Sequence, residues 1–123
     1  MFDKVAALII KDKKLLLVRE RGKNIFLLPG GKRKIGESDE QTLRRELMEE
    51  LDTDIKDMNY YGTFSDRFGV IRIIAYICDV HGAMKPGSEI EEMTWVDSSS
   101  DLRVHPATRD KILAELAREG IIK

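Results

Sequence analysis

Residues 30–53 read GGKRKIGESDEQTLRRELMEELDT, and the reading of the whole chain turns on them. The composition predicts a helix from Asp39 to Leu51. Ser38 is a favourable N-cap residue, and Gln41 stands three positions later, the spacing of a capping box. Within the segment there is no Gly or Pro, and only Thr42 is β-branched, so nothing interrupts the helix. Leu43, Leu47 and Leu51 recur at i, i+4 and i+8 and form one apolar stripe. Glu46, Glu49 and Glu50 fall on a neighbouring face, within an arc of roughly 100°. Glu46 and Glu50 form a like-charge i,i+4 pair, which costs a free helix about 0.2–0.5 kcal/mol. A bound cation reverses that sign, because its charge becomes the largest local term. Three carboxylates leaving room for water and phosphate oxygens suit a hard ion such as Mg²⁺, with Mn²⁺ as substitute.

Ahead of the helix, Pro29-Gly30-Gly31 closes a short apolar run, Ile25 to Leu28. Two glycines allow positive φ and a close approach of backbone to a ligand. Gly31 and Gly36 have the spacing of a P-loop, but Glu37-Ser38 follows where Lys-Ser or Lys-Thr is needed. A carboxylate there would repel a cradled phosphate, so the P-loop reading fails. Taken singly, each feature has an ordinary explanation: a solvated acidic face, a glycine turn, a surface pair of Arg45 with Glu49. All three together, at this spacing, do not.

The segment resembles the Nudix box, G-x5-E-x7-R-E-U-x-E-E-x-G-U, where U is a bulky aliphatic. Gly31, Glu37, Arg45, Glu46, Leu47, Glu49 and Glu50 match it in order. Two positions depart. Asp52 stands where the family has Gly, and Thr53 where it has an aliphatic residue. The Gly marks a helix end where left-handed geometry is wanted. Asp tolerates that geometry better than most residues, at a cost of about 1–2 kcal/mol at most. Lys34 stands where many members carry an acid. The resemblance implies the Nudix fold, an α/β/α sandwich with a mixed β-sheet, as one domain spanning residues 1–123.

The rest of the composition agrees. Lys plus Arg number 21 and Asp plus Glu 22, a net charge of −1. This gives no broad basic surface for nucleic acid. Cys78 is alone in an apolar run, so no disulfide framework is expected, and a reducing compartment fits. No signal peptide or membrane span is visible, and the expected location is cytoplasmic. Hydrophobic patterning predicts strands at 4–10 and 14–20 as a hairpin around Lys11-Asp12-Lys13. Further strands are predicted at 25–28, 57–65, 70–80 and 91–96. Pro106 opens a last helix that runs to about Glu119, with Gly120 just past its end.

The resemblance also implies roles. The expected reaction is hydrolysis of a nucleoside diphosphate linked to another group, with Mg²⁺ bridging phosphate oxygens. Glu49 and Glu50 are then the main metal ligands, and Gly30 offers its backbone carbonyl. Glu46 is a third ligand or the base that deprotonates water. Arg45 and Glu37 pair to fix the loop on the helix. Some MutT-like members take the base from a loop before a Trp. Here Glu89, Glu91 and Glu92 precede Trp95, and spacing favours Glu89. Candidates for substrate contact are Gly31, Arg19, Arg21, Asn24 and Phe26, with Phe64, Arg67 and Phe68 in a later turn. The markers of ADP-ribose, diadenosine polyphosphate and coenzyme A hydrolases are absent, which leaves a nucleoside triphosphate, common or oxidised, as the expected small-molecule substrate. Two competing readings are a non-catalytic nucleotide sensor and an enzyme acting on RNA 5′ ends. Retention of all three box glutamates argues against the first, and the net charge against the second, although Lys32, Arg33 and Lys34 form a local basic patch. Unpaired strand edges in a domain this small favour a homodimer.

Overall fold

The computed structural model describes residues 2–123. Its strands are β1 (Phe2–Leu8), β2 (Ile10–Lys11), β3 (Lys14–Glu20), β4 (Gly30–Gly31), β5 (Ile55–Ser65), β6 (Ile71–Val80) and β7 (Ile90–Val96). Helix α1 covers Asp39–Leu51, as the box pattern requires. Near the C-terminus a π-helical segment, Thr108–Leu113, runs into α2 (Ala114–Arg118).

Two sheets result. One is mixed, in the order β4-β1-β6-β5, with β1 and β6 parallel. The other is antiparallel, in the order β2-β3-β7. The period-2 alternation of the buried strands feeds two cores at once. Val5, Ala7 and Ile9 of the first strand segment, with Leu16 and Val18 of β3, pack on Leu43, Leu47 and Leu51 of α1. The alternate residues Ala6, Leu8, Leu15 and Leu17 pack on Ile112, Leu113 and Leu116 of the C-terminal helix. Each of the three α1 leucines is fully buried, and each contributes about 1.5–3 kcal/mol by leaving water. The layers are those of an α/β/α sandwich.

Three expectations need correction. Residues 4–10 do not pair with 14–20 as one hairpin: β1 joins the mixed sheet, and only Ile10 and Lys11 pair with β3. The turn lies where expected, with Asp12 and Lys13 at φ 51° and 58°, the geometry of a two-residue hairpin. The strand foreseen at 25–28 is a pair of single bridges, Leu27 to Val18 and Phe26 to Val104. That segment joins neither sheet as a strand. The last helix carries a π-helical middle, which periodicity alone does not reveal. Its end is as read, with Gly120 at φ +74°.

Candidate active site

Helix α1 begins with the expected capping box. Gln41 N–H donates to Ser38 Oγ at 3.2 Å, and Ser38 N–H donates to Gln41 Oε1 at 2.8 Å. It ends at Asp52, which takes φ 51° and ψ 44° and donates its N–H to Met48. The left-handed geometry expected of the missing Gly is thus supplied by Asp. Thr53, at the aliphatic position, is buried and donates its hydroxyl to the His81 carbonyl at 2.7 Å, so no polar group is stranded there.

The glycine loop is bolted to this helix through one arginine. Arg45 holds the Glu37 carboxylate in a two-pronged pair, Nε to Oε2 at 2.8 Å and Nη2 to Oε1 at 2.9 Å. It also donates to the Lys32 carbonyl at 3.1 Å and to Glu46 Oε1 at 2.7 Å. Glu37 further accepts from the Lys34 N–H and the Thr42 hydroxyl. The Arg45 guanidinium, followed by the Lys34 N–H, pulls the Glu37 carboxyl down to about 2. Such planar pairing is specific to Arg.

Gly30 and Gly31 pair with Ala6 and Val5 at the sheet edge. A Cβ on Gly30, whose φ is +136°, would meet the Val5 carbonyl oxygen at 2.0 Å; one on Gly31 would meet Glu46 Oε1 at 2.4 Å. Only glycine lets the helix carboxylates lie this close to the loop. The Gly30 N–H donates to Glu50 Oε1 at 3.0 Å, so the contact seen at this residue is through its N–H. Burial drives the Glu50 carboxyl up to about 8; Gly30 N–H and the Lys4 ammonium pull the other way, and Glu46 beside it pushes in the same direction as burial. Lys4, on β1, donates to the Leu28 carbonyl at 2.7 Å, and burial lowers its ammonium pKa. Sequence reasoning missed Lys4; its one signal is a charged residue directly ahead of the apolar run Val5 to Ile10.

Gly30, Gly31, Lys4 and Glu50 face a groove of about 570 Å³ whose walls also include Glu20, Leu28 and Lys32. Glu49 stands apart: its side chain is 58% exposed, 3.8 Å from Arg45. Among the described residues no three acidic, His or Cys side chains converge as a closed metal cage. The donor set nonetheless fits Mg²⁺, which keeps several waters and binds through one or two carboxylates plus substrate phosphates. Glu50 would supply one such carboxylate, with Glu46 or Glu49, the latter held by only one long ion pair, as the second.

The other predicted residues are placed as follows. Arg19 pairs with Glu92 at 3.2 Å, donates to the Lys23 carbonyl and lies 6.0 Å from the Phe26 ring centroid. Arg21 is bonded to the Ser88 carbonyl and paired with Glu91. Phe26 is buried in the C-terminal-helix core. Gly31 alone of the four lines the groove. Glu89 is exposed and does not line it; its carbonyl accepts from Arg21 N–H. Arg67 and Phe68 line a second hollow of about 530 Å³ with His105, Pro106, Asp110 and Lys111. A small cavity has Lys4 in common with the groove and His105 in common with this hollow. His105 caps the last helix, its Nδ1 accepting from Ala107 N–H at 3.3 Å. The loop ahead of β7 holds a contact no motif announces. Gly87 donates to the Glu50 carbonyl at 2.8 Å and Lys85 to the Leu51 carbonyl at 3.0 Å, so this loop satisfies carbonyls that end α1.

An α/β/α sandwich with a carboxylate helix clamped to a glycine loop defines the Nudix class. The NUDIX domain model matches residues 1–116, and the chain belongs to that family. It is 34% identical over 101 residues to an ADP-ribose pyrophosphatase of Methanocaldococcus jannaschii, covering 76% of this chain and 60% of that one. It is 29% identical over 104 residues to an NAD-capped RNA hydrolase NudC of Vibrio atlanticus, covering 81% of this chain and 39% of that one. The chain therefore spans only part of the length of these two relatives. In structure it is similar to a putative nudix hydrolase family member from Chromobacterium violaceum, with a TM-score of 0.82 and 30% identity over 96% of this chain and 77% of that one. Among the described residues no helix is long and apolar enough to cross a membrane.

Proposed function

We propose that this chain is a Mg²⁺-dependent pyrophosphohydrolase that cuts the diphosphate linkage of a nucleoside diphosphate joined to another group. Its substrate on this reading is a nucleoside triphosphate, common or oxidised, cleaved to the monophosphate and pyrophosphate. The observation that carries the proposal is Glu50, bonded to the Gly30 N–H in a groove whose walls also carry Lys4 and Lys32, with Glu46 set against Gly31 behind it. When bound, the metal offsets charge on the phosphate oxygens and orients the attacking water. Lys4 and Lys32 attract the phosphates, and the glycines leave room for them. Water oxygen attacks phosphorus, the P–O–P bond breaks, and a carboxylate takes the water proton. What supports Glu46 over Glu89 as that base is its fixed position beside Arg45 and Gly31, against an exposed Glu89 in the loop ahead of β7.

ADP-ribose is the competing substrate, favoured by the name of the M. jannaschii relative. The eleven-residue edge strand β5 supports a homodimer, and the unpaired Cys78 a cytoplasmic setting. The test is a panel of common and oxidised nucleoside triphosphates, ADP-ribose and a triphosphorylated RNA, incubated with Mg²⁺, with Glu50→Gln as control. Metal-dependent cleavage lost in the variant supports the hydrolase, and the best substrate settles the subfamily. Nucleotide binding without cleavage overturns it in favour of a sensor.

A further inference from the structure

A further hollow, of about 410 Å³, lies beside the glycine loop and is lined by Phe2, Asp3, Lys32, Arg33 and Arg72. Phe2 and Lys32 also wall the Glu50 groove, so the two spaces meet at these side chains. The Lys32 ammonium sits 4.1 Å over the Phe2 ring centroid, an arrangement that holds the lysine at the junction. The floor is built across two strands. Asp3 on β1 is in register with Arg72 on β6, and Arg72 grips it through Nε and Nη2, each at 2.9 Å. Arg33 donates to the same Asp3 at 3.1 Å and to Asp39 at 2.5 Å, while the Tyr76 hydroxyl donates to Asp39.

Two arginines are thus fixed in orientation by two carboxylates, and each keeps N–H groups uncommitted. Three cations and one carboxylate line the space, with Asp39 behind Arg33. The catalytic mechanism uses neither Arg33 nor Arg72. Gly30 and Arg33 are three residues apart, which puts them at most about 11 Å from each other. A ligand whose diphosphate lies against Gly30 and Glu50 can therefore reach this hollow with its far end. Preoriented guanidinium groups match the oxygens of phosphate.

We propose that this hollow binds a phosphate group carried by the substrate beyond the γ-phosphate of a nucleoside triphosphate. It would select nucleotides with a longer phosphate chain, or with a phosphorylated leaving group. The inference rests on the hydrolase reading above for its catalytic consequence, but not for the binding itself.

Two measurements test it. The first is calorimetric binding of inorganic tripolyphosphate without metal, to the wild type, Arg72→Gln and Arg72→Lys. The second is the ratio of kcat/KM for a nucleoside 5′-tetraphosphate over the corresponding triphosphate. The expected results are a loss of tripolyphosphate affinity of about tenfold or more in Arg72→Gln, partial recovery in Arg72→Lys, and a wild-type preference for the tetraphosphate that falls to about one in the variant. If Arg72→Gln does not fold, Arg33→Gln, at an exposed position that lines the hollow and not the groove, answers the same question. Equal tripolyphosphate binding by wild type and folded variants, or an unchanged ratio, overturns the proposal. Absence of turnover on every nucleotide, with tripolyphosphate binding still lost in Arg72→Gln, overturns the hydrolase and leaves the hollow standing. A preference confined to triphosphorylated oligonucleotides, lost in the same variant, overturns the small-molecule form in favour of an RNA end.

Discussion

Gly31 and Glu46 occupy positions that admit no side chain between them: a Cβ on Gly31 would stand 2.4 Å from Glu46 Oε1. The glycine is there to let a helix carboxylate lie against the loop. Gly31→Ala is expected to push the Glu46 side chain out of position and to lower kcat by at least about tenfold, since small misplacements are costly in a positioned site. The far end of Glu46 is a flexible side chain, so thermal stability should change little. Steady-state kinetics and a melting curve on the same preparation check both parts. A large fall in Tm with kcat intact would contradict the account.

Glu46 and Glu89 compete for the role of base. A general base contributes about 10²–10⁴-fold. Glu46→Gln should lower kcat by that order, and Glu89→Gln by less than about tenfold, with KM nearly unchanged in both. Kinetics on the two variants decide the assignment, and the reverse ordering moves the role to the loop before β7.

Acid should weaken the molecule through Glu37. Its carboxyl is held down to about 2 by Arg45 and the Lys34 N–H, against an ordinary 4.5. A group whose folded-state pKa is depressed stabilises the fold above its unfolded pKa and loses that contribution as pH falls through the folded value. The Tm gap between wild type and Glu37→Gln should therefore be constant above about pH 5 and close between about pH 4.5 and 2. Melting curves across that range test it; a gap that widens in acid would exclude the ion pair as its source.

Gly87 meets the end of α1 so closely that a Cβ would lie 1.9 Å from the Glu49 carbonyl oxygen. The obstacle is backbone, which cannot step aside. Gly87→Ala should destabilise the fold by about 1–3 kcal/mol in urea unfolding, and should reduce activity as well, because the helix end it displaces carries Glu49 and Glu50. Unaltered stability would mean that the loop rides loosely on the helix.

Much of this site was readable along the chain because its parts are near neighbours in sequence. The helix and its capping box follow from spacing at 3.6 residues per turn and from side-chain chemistry, and the order Gly31, Glu37, Arg45, Glu46, Glu50 is legible through its resemblance to the Nudix box. Even the left-handed Asp52 was anticipated, since the backbone requirement there is local. The strand at 25–28 was misjudged for the opposite reason. Its apolar run is real, but whether such a run pairs as a strand depends on partners far away, here Val18 and Val104. Arg19 and Arg21 read as candidates for substrate contact, and only the packing of β3 on β7 brings up Glu92 and Glu91 to hold them.

Periodicity and motif were enough to establish the α/β class, the carboxylate helix and the glycine loop, because those properties belong to short segments. The parallel pairing of β1 with β6 was decided in three dimensions. So were the approach of Lys4 to Glu50, the seating of Gly87 on the helix end, and the meeting of Asp3, Arg33 and Arg72. These contacts join residues far apart in the chain, up to Asp3 and Arg72 across 69 positions. Their partners are selected by the closing of the sheet and its two cores, and no local preference encodes them.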